Sequence, residues 1–175
     1  FLARVKGEQE WIEIGQLNSQ DRNRFTLIGI PDPSKPNEVI VLSDEAGYNT
    51  QGVYAFDIQR PEQKELLFRT ENYDATSVIF SRRTSNRGKI VGFTYADKFK
   101  NNSYYTDEEE GALYESIKGA FPDLNVRLDR ISDDGTTVLF STSGPTDSGT
   151  TYILKDGRAS VLAKWYQEIP DTALS

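Results

Sequence analysis

Short apolar runs separated by turn residues are the dominant pattern along this chain. They recur roughly every 8–12 positions, which is typical of an antiparallel sandwich, barrel or propeller. Most runs are rich in β-branched and aromatic residues, which favour strands, so the pattern predicts an all-β-dominated chain. The predicted strands are Trp11–Ile14, Phe25–Ile30, Glu38–Leu42, Val53–Ile58, Glu65–Arg69, Thr76–Arg82, Lys89–Ala96, Asn102–Thr106, Asn125–Ile131, Thr137–Ser143, Thr151–Leu154 and Ala159–Lys164.

Turn residues are clearest in the last part of the chain. Asp133-Asp134-Gly135 and Asp156-Gly157 each lie between two apolar runs. Asp-Gly in this position predicts a hairpin, because Gly adopts positive φ without a steric cost. The Gly, Ser and Thr residues of 144–150 predict a loop before the strand at Thr151.

One segment, residues 107–121, has the spacing of a helix instead. Asp107 precedes it and Glu110 follows three residues later, which is the spacing of a capping box, and Pro122 ends the segment. We expect a single amphipathic helix that packs on a sheet. The apolar positions of its predicted face are Leu113, Ile117, Ala120 and Phe121.

Three parts of the chain resemble one another. The same order of features occurs at 36–57 and at 135–154: an apolar strand that ends in Ser, a polar loop, and then Gly with a Tyr-centred strand. Residues 88–93 repeat the beginning of this unit. A repeated unit of roughly 40–50 residues with four antiparallel strands is typical of a propeller blade. We therefore predict one partial β-propeller domain over 1–175, with about three four-stranded blades and one inserted helix. The predicted blade-like units are 11–70, 75–123 and 124–165, followed by a tail at 166–175.

Composition excludes several kinds of chemistry. The 175 residues include no Cys and no His, so disulfides, thiolate metal sites and a Ser-His-Asp triad are excluded. Twenty Lys and Arg against 27 Asp and Glu give a net charge of −7, which disfavours nucleic acid as a partner. No apolar run approaches the roughly 18 residues that span a bilayer, so no membrane partner is expected.

Several motifs of the chain resemble those of a known family. They are the run Lys89–Tyr95, the helix with Phe121-Pro122, the segment Arg130–Gly135, and the strand Val138–Ser143 with Tyr152 beyond it. These motifs are similar to the N-terminal propeller of the prolyl oligopeptidase family of serine peptidases, within its bacterial acylaminoacyl-peptidase or dipeptidyl-peptidase-like branch. The resemblance covers most of the chain from about Glu38 to Lys164.

This resemblance implies a role without catalysis. In the family, a propeller gates the access of peptide substrates to an α/β-hydrolase domain, which carries the chemistry. The Gly-x-Ser-x-Gly motif and the later His of that domain are not in this chain, so no catalytic residue and no cofactor are predicted. The implied partners are the hydrolase domain of the parent protein and its peptide substrate. The resemblance favours a bacterial secreted or periplasmic setting, and Phe1 in place of an initiator Met suggests a processed product or a piece of a longer protein.

Two pairs of residues are candidates for contact with a peptide or partner. Arg82 and Arg83 stand with Arg87 and Lys89 around one predicted hairpin, and an Arg fork suits the carboxylate of a peptide C-terminus. The alternative is a solvated turn that pairs with the acids of 107–110. Of the nine tyrosines, Tyr104 and Tyr105 beside Asn101-Asn102 are the pair expected to be exposed, whereas sheet packing accounts for most of the others.

Two groups of acidic residues are explained by local structure rather than by a metal site or by catalysis. Asp129, Asp133, Asp134 and Gly135 do not match the spacing of a calcium-binding EF-hand loop, and a hairpin turn accounts for them, so no metal site is predicted. The acids of 107–110 suit the first turn of a helix better than a pair of glycosidase carboxyls.

A second function remains open beside the peptidase propeller. The chain also has the features of a self-contained β-rich module that binds a peptide, glycan or protein. The two functions differ in how strand edges are covered. Three blades do not close a ring, so a propeller piece leaves unpaired edges and is expected to self-associate through them.

Overall fold

The structure is a computed structural model that describes residues 1–16, 24–32, 34–44, 47–97, 100–145 and 147–164. Within these ranges the chain forms one helix, α1 (Glu108–Ala120), and thirteen strands. None of the described residues belongs to a helix long and apolar enough to cross a membrane. The strands are β1 (Leu2–Ala3), β2 (Ile12–Glu13), β3 (Phe25–Gly29), β4 (Glu38–Ser43), β5 (Gly52–Asp57), β6 (Glu65–Phe68), β7 (Ala75–Phe80), β8 (Ile90–Asp97), β9 (Lys100–Tyr105), β10 (Asn125–Ile131), β11 (Thr137–Gly144), β12 (Asp147–Lys155) and β13 (Arg158–Lys164).

The strands form four antiparallel sheets in which the strand order follows the sequence. The sheets are β1-β2, β3-β4-β5-β6, β7-β8-β9 and β10-β11-β12-β13. The prediction of an all-β-dominated chain with one helix is therefore confirmed. Two compact units divide the chain: the first is Phe1–Phe80 with Gly88–Thr106, and the second is Ser81–Arg87 with Asp107–Ser175.

The continuous apolar sequence of β4 and β5 produces a sheet that is buried on both faces. Successive side chains of a strand point to opposite faces, so alternate residues enter different cores. Val39 and Val41 pack in one cluster, and Ile40 and Leu42 in another. In β5, the residues that join the first cluster are Tyr54 and Phe56, and those that join the second are Val53 and Ala55.

Different elements of the first unit cover these two faces. Ala3, Val5 and Ile12 from the β1–β2 hairpin pack against the first cluster, which also includes the buried Ile14. The second cluster is shared with the next sheet, since it contains Val78 from β7 and Phe93 from β8. Burial on both faces explains why the two strands lack the alternation of apolar and polar residues that is typical of a half-exposed sheet.

The second unit combines α1 with the four-stranded sheet β10–β13. Aromatic rings join the two: Phe121, directly after α1, lies 5.7 Å from Phe140 and 5.2 Å from Tyr152, measured between ring centroids. Phe140 and Tyr152 are cross-strand partners and stack at 4.9 Å. The helix therefore packs on the sheet, as predicted.

The buried face of the helix differs from the prediction. Tyr114 and Ile117 are buried, whereas Ala120 is exposed and Leu113 is only half-buried. Glu110 shares the buried face, with 1% exposure, so the buried face is rotated from the predicted apolar stripe toward Glu110 and Tyr114. The cause is that hydrogen bonds stabilise the carboxylate of Glu110 in the interior.

The middle sheet and the start of β12 also differ from the prediction. The sheet β7-β8-β9 has three strands among the described residues rather than four, because the chain turns into α1 after β9. β12 begins at Asp147, within the segment predicted as a loop. The Asp147 carboxylate accepts hydrogen bonds from the hydroxyls of Thr142 at 2.6 Å and Thr150 at 3.0 Å. Because both hydroxyls are satisfied, these two Thr side chains can be buried between paired strands.

The internal repeat falls on equivalent strands of the sheets. Residues 36–57 contain β4 and β5, and residues 135–154 contain β11 and most of β12. Both pairs are the second and third strands of their sheets, and β8, which begins within the partial repeat at 88–93, is a second strand as well. The two predicted Asp-Gly turns are also present, with positive φ at Gly135, Asp156 and Gly157.

Arg24, directly before β3, joins two carboxylates of the first unit. Its Nε donates to Asp44 at 3.1 Å, and its Nη1 donates to Asp74 at 2.7 Å. Asp74 also accepts from the backbone N–H of Gln51 at 2.8 Å. The Arg24 hydrogen bond is the largest of the interactions that lower the pKa of Asp74, opposed in part by burial. This cluster links the start of β3 to the segment before β7.

We expect Gly88→Ala to destabilise the chain by about 2 kcal/mol more than Gly7→Ala. Both glycines have left-handed φ, +89° and +94°, so the backbone strain is matched. A Cβ at Gly88 would lie 2.2 Å from the carbonyl oxygen of Pro31, whereas a Cβ at Gly7 meets no atom within 4 Å. Urea unfolding of both variants measures the difference, and equal losses of stability would contradict the prediction.

We expect the stabilisation by Asp74 to disappear in acid. Because its folded pKa is lowered, the ionised carboxylate stabilises the fold above its unfolded pKa of about 3.9, and this contribution is lost as pH falls through the folded pKa. The stability difference between the wild type and Asp74→Asn is therefore constant above about pH 5 and shrinks below about pH 4. Urea midpoints over a pH series measure it, and a difference that stays unchanged in acid would contradict it.

Candidate functional site

The predicted Arg82 and Arg83 lie in the second unit, on the segment between β7 and β8. Arg83 is engaged on two sides: its Nη2 lies 3.0 Å from a carboxylate oxygen of Glu109, and its Nη1 donates to the carbonyl of Asp133 at 3.1 Å. Arg82 donates its backbone N–H to Glu110, and its Nε is buried without a hydrogen-bond partner among the described residues. The pairing of Arg83 with Glu109 is the arrangement expected of a turn that pairs with the acids of 107–110.

Glu110 is the most unusual acid of this segment because it is almost fully buried. Its carboxylate accepts from the hydroxyl of Ser81 at 2.5 Å and from the backbone N–H of Arg82 at 3.3 Å. Its own N–H donates to Asp107 at 3.2 Å, which is the capping bond predicted for the helix N-terminus. Glu110 therefore fastens the segment 81–87 to the first turn of α1.

The two acids of the β10–β11 turn have structural roles: Asp133 binds the segment 81–87, and Asp134 binds residues of the turn itself. Asp133 accepts from both the N–H and the hydroxyl of Ser85 at 2.9 Å, and Asp134 accepts from Ser132 at 2.6 Å and from Thr136 at 3.0 Å. These hydrogen bonds lower the pKa of both Asp133 and Asp134, and the largest causes are the backbone N–H of Ser85 and the hydroxyl of Ser132. No group of three or more acids that could hold a metal ion occurs among the described residues.

The predicted Tyr104 and Tyr105 lie on β9, in the first unit. Tyr104 is 53% exposed, and one face of its ring stacks on Phe68 at 5.6 Å. Tyr105 is half-buried and pairs with Gly92 across the sheet. Tyr104 is thus open to a partner on one face, whereas Arg82 and Arg83 belong to the other unit. Contact of these four residues with a peptide stays a prediction.

A surface feature of the first unit was not predicted. Arg69, at the end of β6, lies between two tyrosines: its Cζ is 3.6 Å from the ring centroid of Tyr48, and its Nη2 donates to the hydroxyl of Tyr54. Gly52 provides the room, because a Cβ there would lie 3.1 Å from the Nε of Arg69. We call Arg69, Tyr48 and Tyr54 the Arg69 cluster.

Two open depressions adjoin the Arg69 cluster and share Tyr48 as a common wall. One has a volume of about 450 Å³ and the other about 360 Å³. Leu66 and Glu62 line the first, whereas Arg69 and Glu71 line the second. The cluster joins a loop to the consecutive strands β5 and β6. No local motif marks it, and the pairing of β5 with β6 brings Arg69 close to Tyr54.

Neither the family models nor the curated proteins with which the chain was compared give a match.

We expect Glu110→Ala to destabilise the second unit much more than Glu109→Ala. Loss of the Glu110 carboxylate leaves the hydroxyl of Ser81 and the N–H of Arg82 without their acceptor, at a cost of about 1–3 kcal/mol. Glu109 is 78% exposed, so its ion pair with Arg83 contributes about 0–1 kcal/mol.

Urea unfolding monitored by circular dichroism measures both variants of this adjacent pair. A loss of stability at Glu110→Ala no larger than that at Glu109→Ala would show that the buried carboxylate does not fasten the segment.

Proposed function

We propose that this chain is a run of consecutive β-propeller blades that does not itself catalyse a reaction. The observation that carries the proposal is the strand order. Each of the three larger sheets is an antiparallel meander in sequence order, and the repeated motif falls on the second and third strands of two of them. A propeller blade is a four-stranded meander of this kind, repeated along the sequence.

Burial in the first unit supports the proposal. A blade inside a propeller packs one face on the blade before it and the other on the blade after it. The sheet β3–β6 has such a pair of buried faces, one against the β1–β2 hairpin and the other against β7 and β8. A sandwich would bury only one face of each sheet.

The parent protein is proposed from the sequence motifs alone. They resemble the N-terminal propeller of a prolyl oligopeptidase-family serine peptidase, so we assign the chain a role in gating peptide access and in contacting the hydrolase domain. Without His, and without a Gly-x-Ser-x-Gly motif, the chain is not expected to hydrolyse peptides by itself.

The coding DNA beyond Ser175 tests the choice of parent. An open reading frame that continues for roughly 250 residues and encodes a Gly-x-Ser-x-Gly motif with a later His would support the peptidase. A stop codon directly after Ser175 would overturn it.

A self-contained binding module is the second candidate. The observation that favours it is the Arg69 cluster, whose two adjoining depressions have the size of small-ligand sites. A module of this kind would function as a monomer, with its strand edges protected from pairing.

We expect the isolated chain to self-associate, as open blades would. All seven residues of the edge strand β13 are exposed, including Val161 and Leu162, and such an edge can pair with another chain. Leu162→Lys should lower the mass measured by light scattering at high concentration. Ala112→Lys, which adds the same charge on the exposed face of α1, should not.

A monodisperse monomer in the unmodified chain would contradict this prediction and would favour the binding module.

A further inference from the structure

The guanidinium of Arg69 has donors that the fold does not use. Its Nη2 donates to Tyr54, but Nε and Nη1 are buried and have no hydrogen-bond partner in the part of the chain that the structure describes. Buried polar groups without partners are rare in folded proteins, because each loses its hydrogen bonds to water without compensation. A bound acceptor would remove this cost.

An exposed side chain covers one face of the Arg69 guanidinium. Tyr48 lies on the loop between β4 and β5 and is 59% exposed, while its ring lies over the guanidinium. An exposed side chain changes rotamer on the picosecond to nanosecond timescale, so the ring can turn away without unfolding the sheet. Its displacement would uncover this face of Arg69 at the depression that both residues line.

The surroundings restrict the charge of the acceptor. Glu71 lines the depression at Arg69, and it repels a group with two negative charges, such as phosphate, more strongly than a carboxylate with one charge. The depression on the other side of Tyr48 is lined by both Glu62 and Lys64, whose charges offset each other. Leu66, which is 46% exposed, and the ring of Tyr48 offer an apolar surface beside the cation.

We propose that the Arg69 cluster binds the C-terminal carboxylate of a peptide that ends in an apolar residue. The carboxylate accepts from the free donors of Arg69, a pairing whose geometry suits the planar guanidinium. The apolar side chain of the last residue packs on Leu66 and on the displaced ring of Tyr48. The inference stands on these contacts alone and does not depend on which parent protein the chain comes from.

A pair of peptides tests the proposal. We would titrate the isotope-labelled chain with N-acetyl-Ala-Ala-Leu as the free acid and as the C-terminal amide, and follow the Nε–H resonance of Arg69 by NMR. We expect the acid to shift this resonance and to bind at least about tenfold more tightly than the amide, since only the acid offers a charged acceptor.

Two variants and one control locate the site. Arg69→Gln should abolish the preference for the acid, and Arg127→Gln, which removes a 72% exposed arginine of the second unit, should leave it unchanged. Because Arg69 also binds Tyr54, Glu71→Gln provides a second test that leaves the cluster intact. Removing this exposed charge should tighten binding of the acid roughly threefold or more.

Equal binding of acid and amide, or no binding below about 10 mM, would overturn the proposal. So would a preference for the acid that persists in a folded Arg69→Gln variant, or Glu71→Gln binding no tighter than the wild type. A shift of the Arg69 resonance by inorganic phosphate as large as that by the acid would show a general anion site instead, and would overturn the assignment to a peptide.

Discussion

The burial of both faces of the sheet β3–β6 is the constraint on which the first unit depends. A strand pattern with period two sends Val39 and Val41 to one side and Ile40 and Leu42 to the other, so each side needs a cover. Full burial of each such side chain contributes about 1.5–3 kcal/mol, which is a sizeable fraction of the net stability of a domain, about 5–15 kcal/mol. The hairpin β1–β2 and the sheet β7–β9 are therefore held in place by the sequence of β4 and β5.

Polar clusters determine how the connecting segments are attached to the sheets and the helix, which hydrophobic packing does not define. Apolar contacts are not directional, so they stack sheets without defining how the connecting segments are attached. Arg24 joins Asp44 to Asp74 in the first unit, and Glu110 joins Ser81 and Arg82 to the helix in the second. Each is satisfied by several hydrogen bonds, which is the condition under which a buried or half-buried charge is tolerated.

Local signals in the sequence predicted the helix, the Asp-Gly turns and the described strands other than β1, because each depends on neighbours within a few residues. They failed where distant residues decide. The buried face of α1 includes Glu110 because Ser81 and Arg82 donate hydrogen bonds to its carboxylate. A prediction from the spacing of apolar residues counts a carboxylate as exposed, so it could not find this residue. The Arg69 cluster likewise depends on the register of β5 with β6, which brings Arg69 to Tyr54.

The order in which the segments of the two units follow one another along the chain limits how the gene can be rearranged. The segment Ser81–Arg87 interrupts the first unit and belongs to the second, where Arg83 binds Glu109 and Ser85 binds Asp133. A gene rearrangement that copied or deleted Asp107–Ser175 as one continuous block would separate these partners. Recombination can therefore preserve the contacts of the second unit only if it moves both of its segments, and a continuous block that contains both also carries Gly88–Thr106 of the first unit.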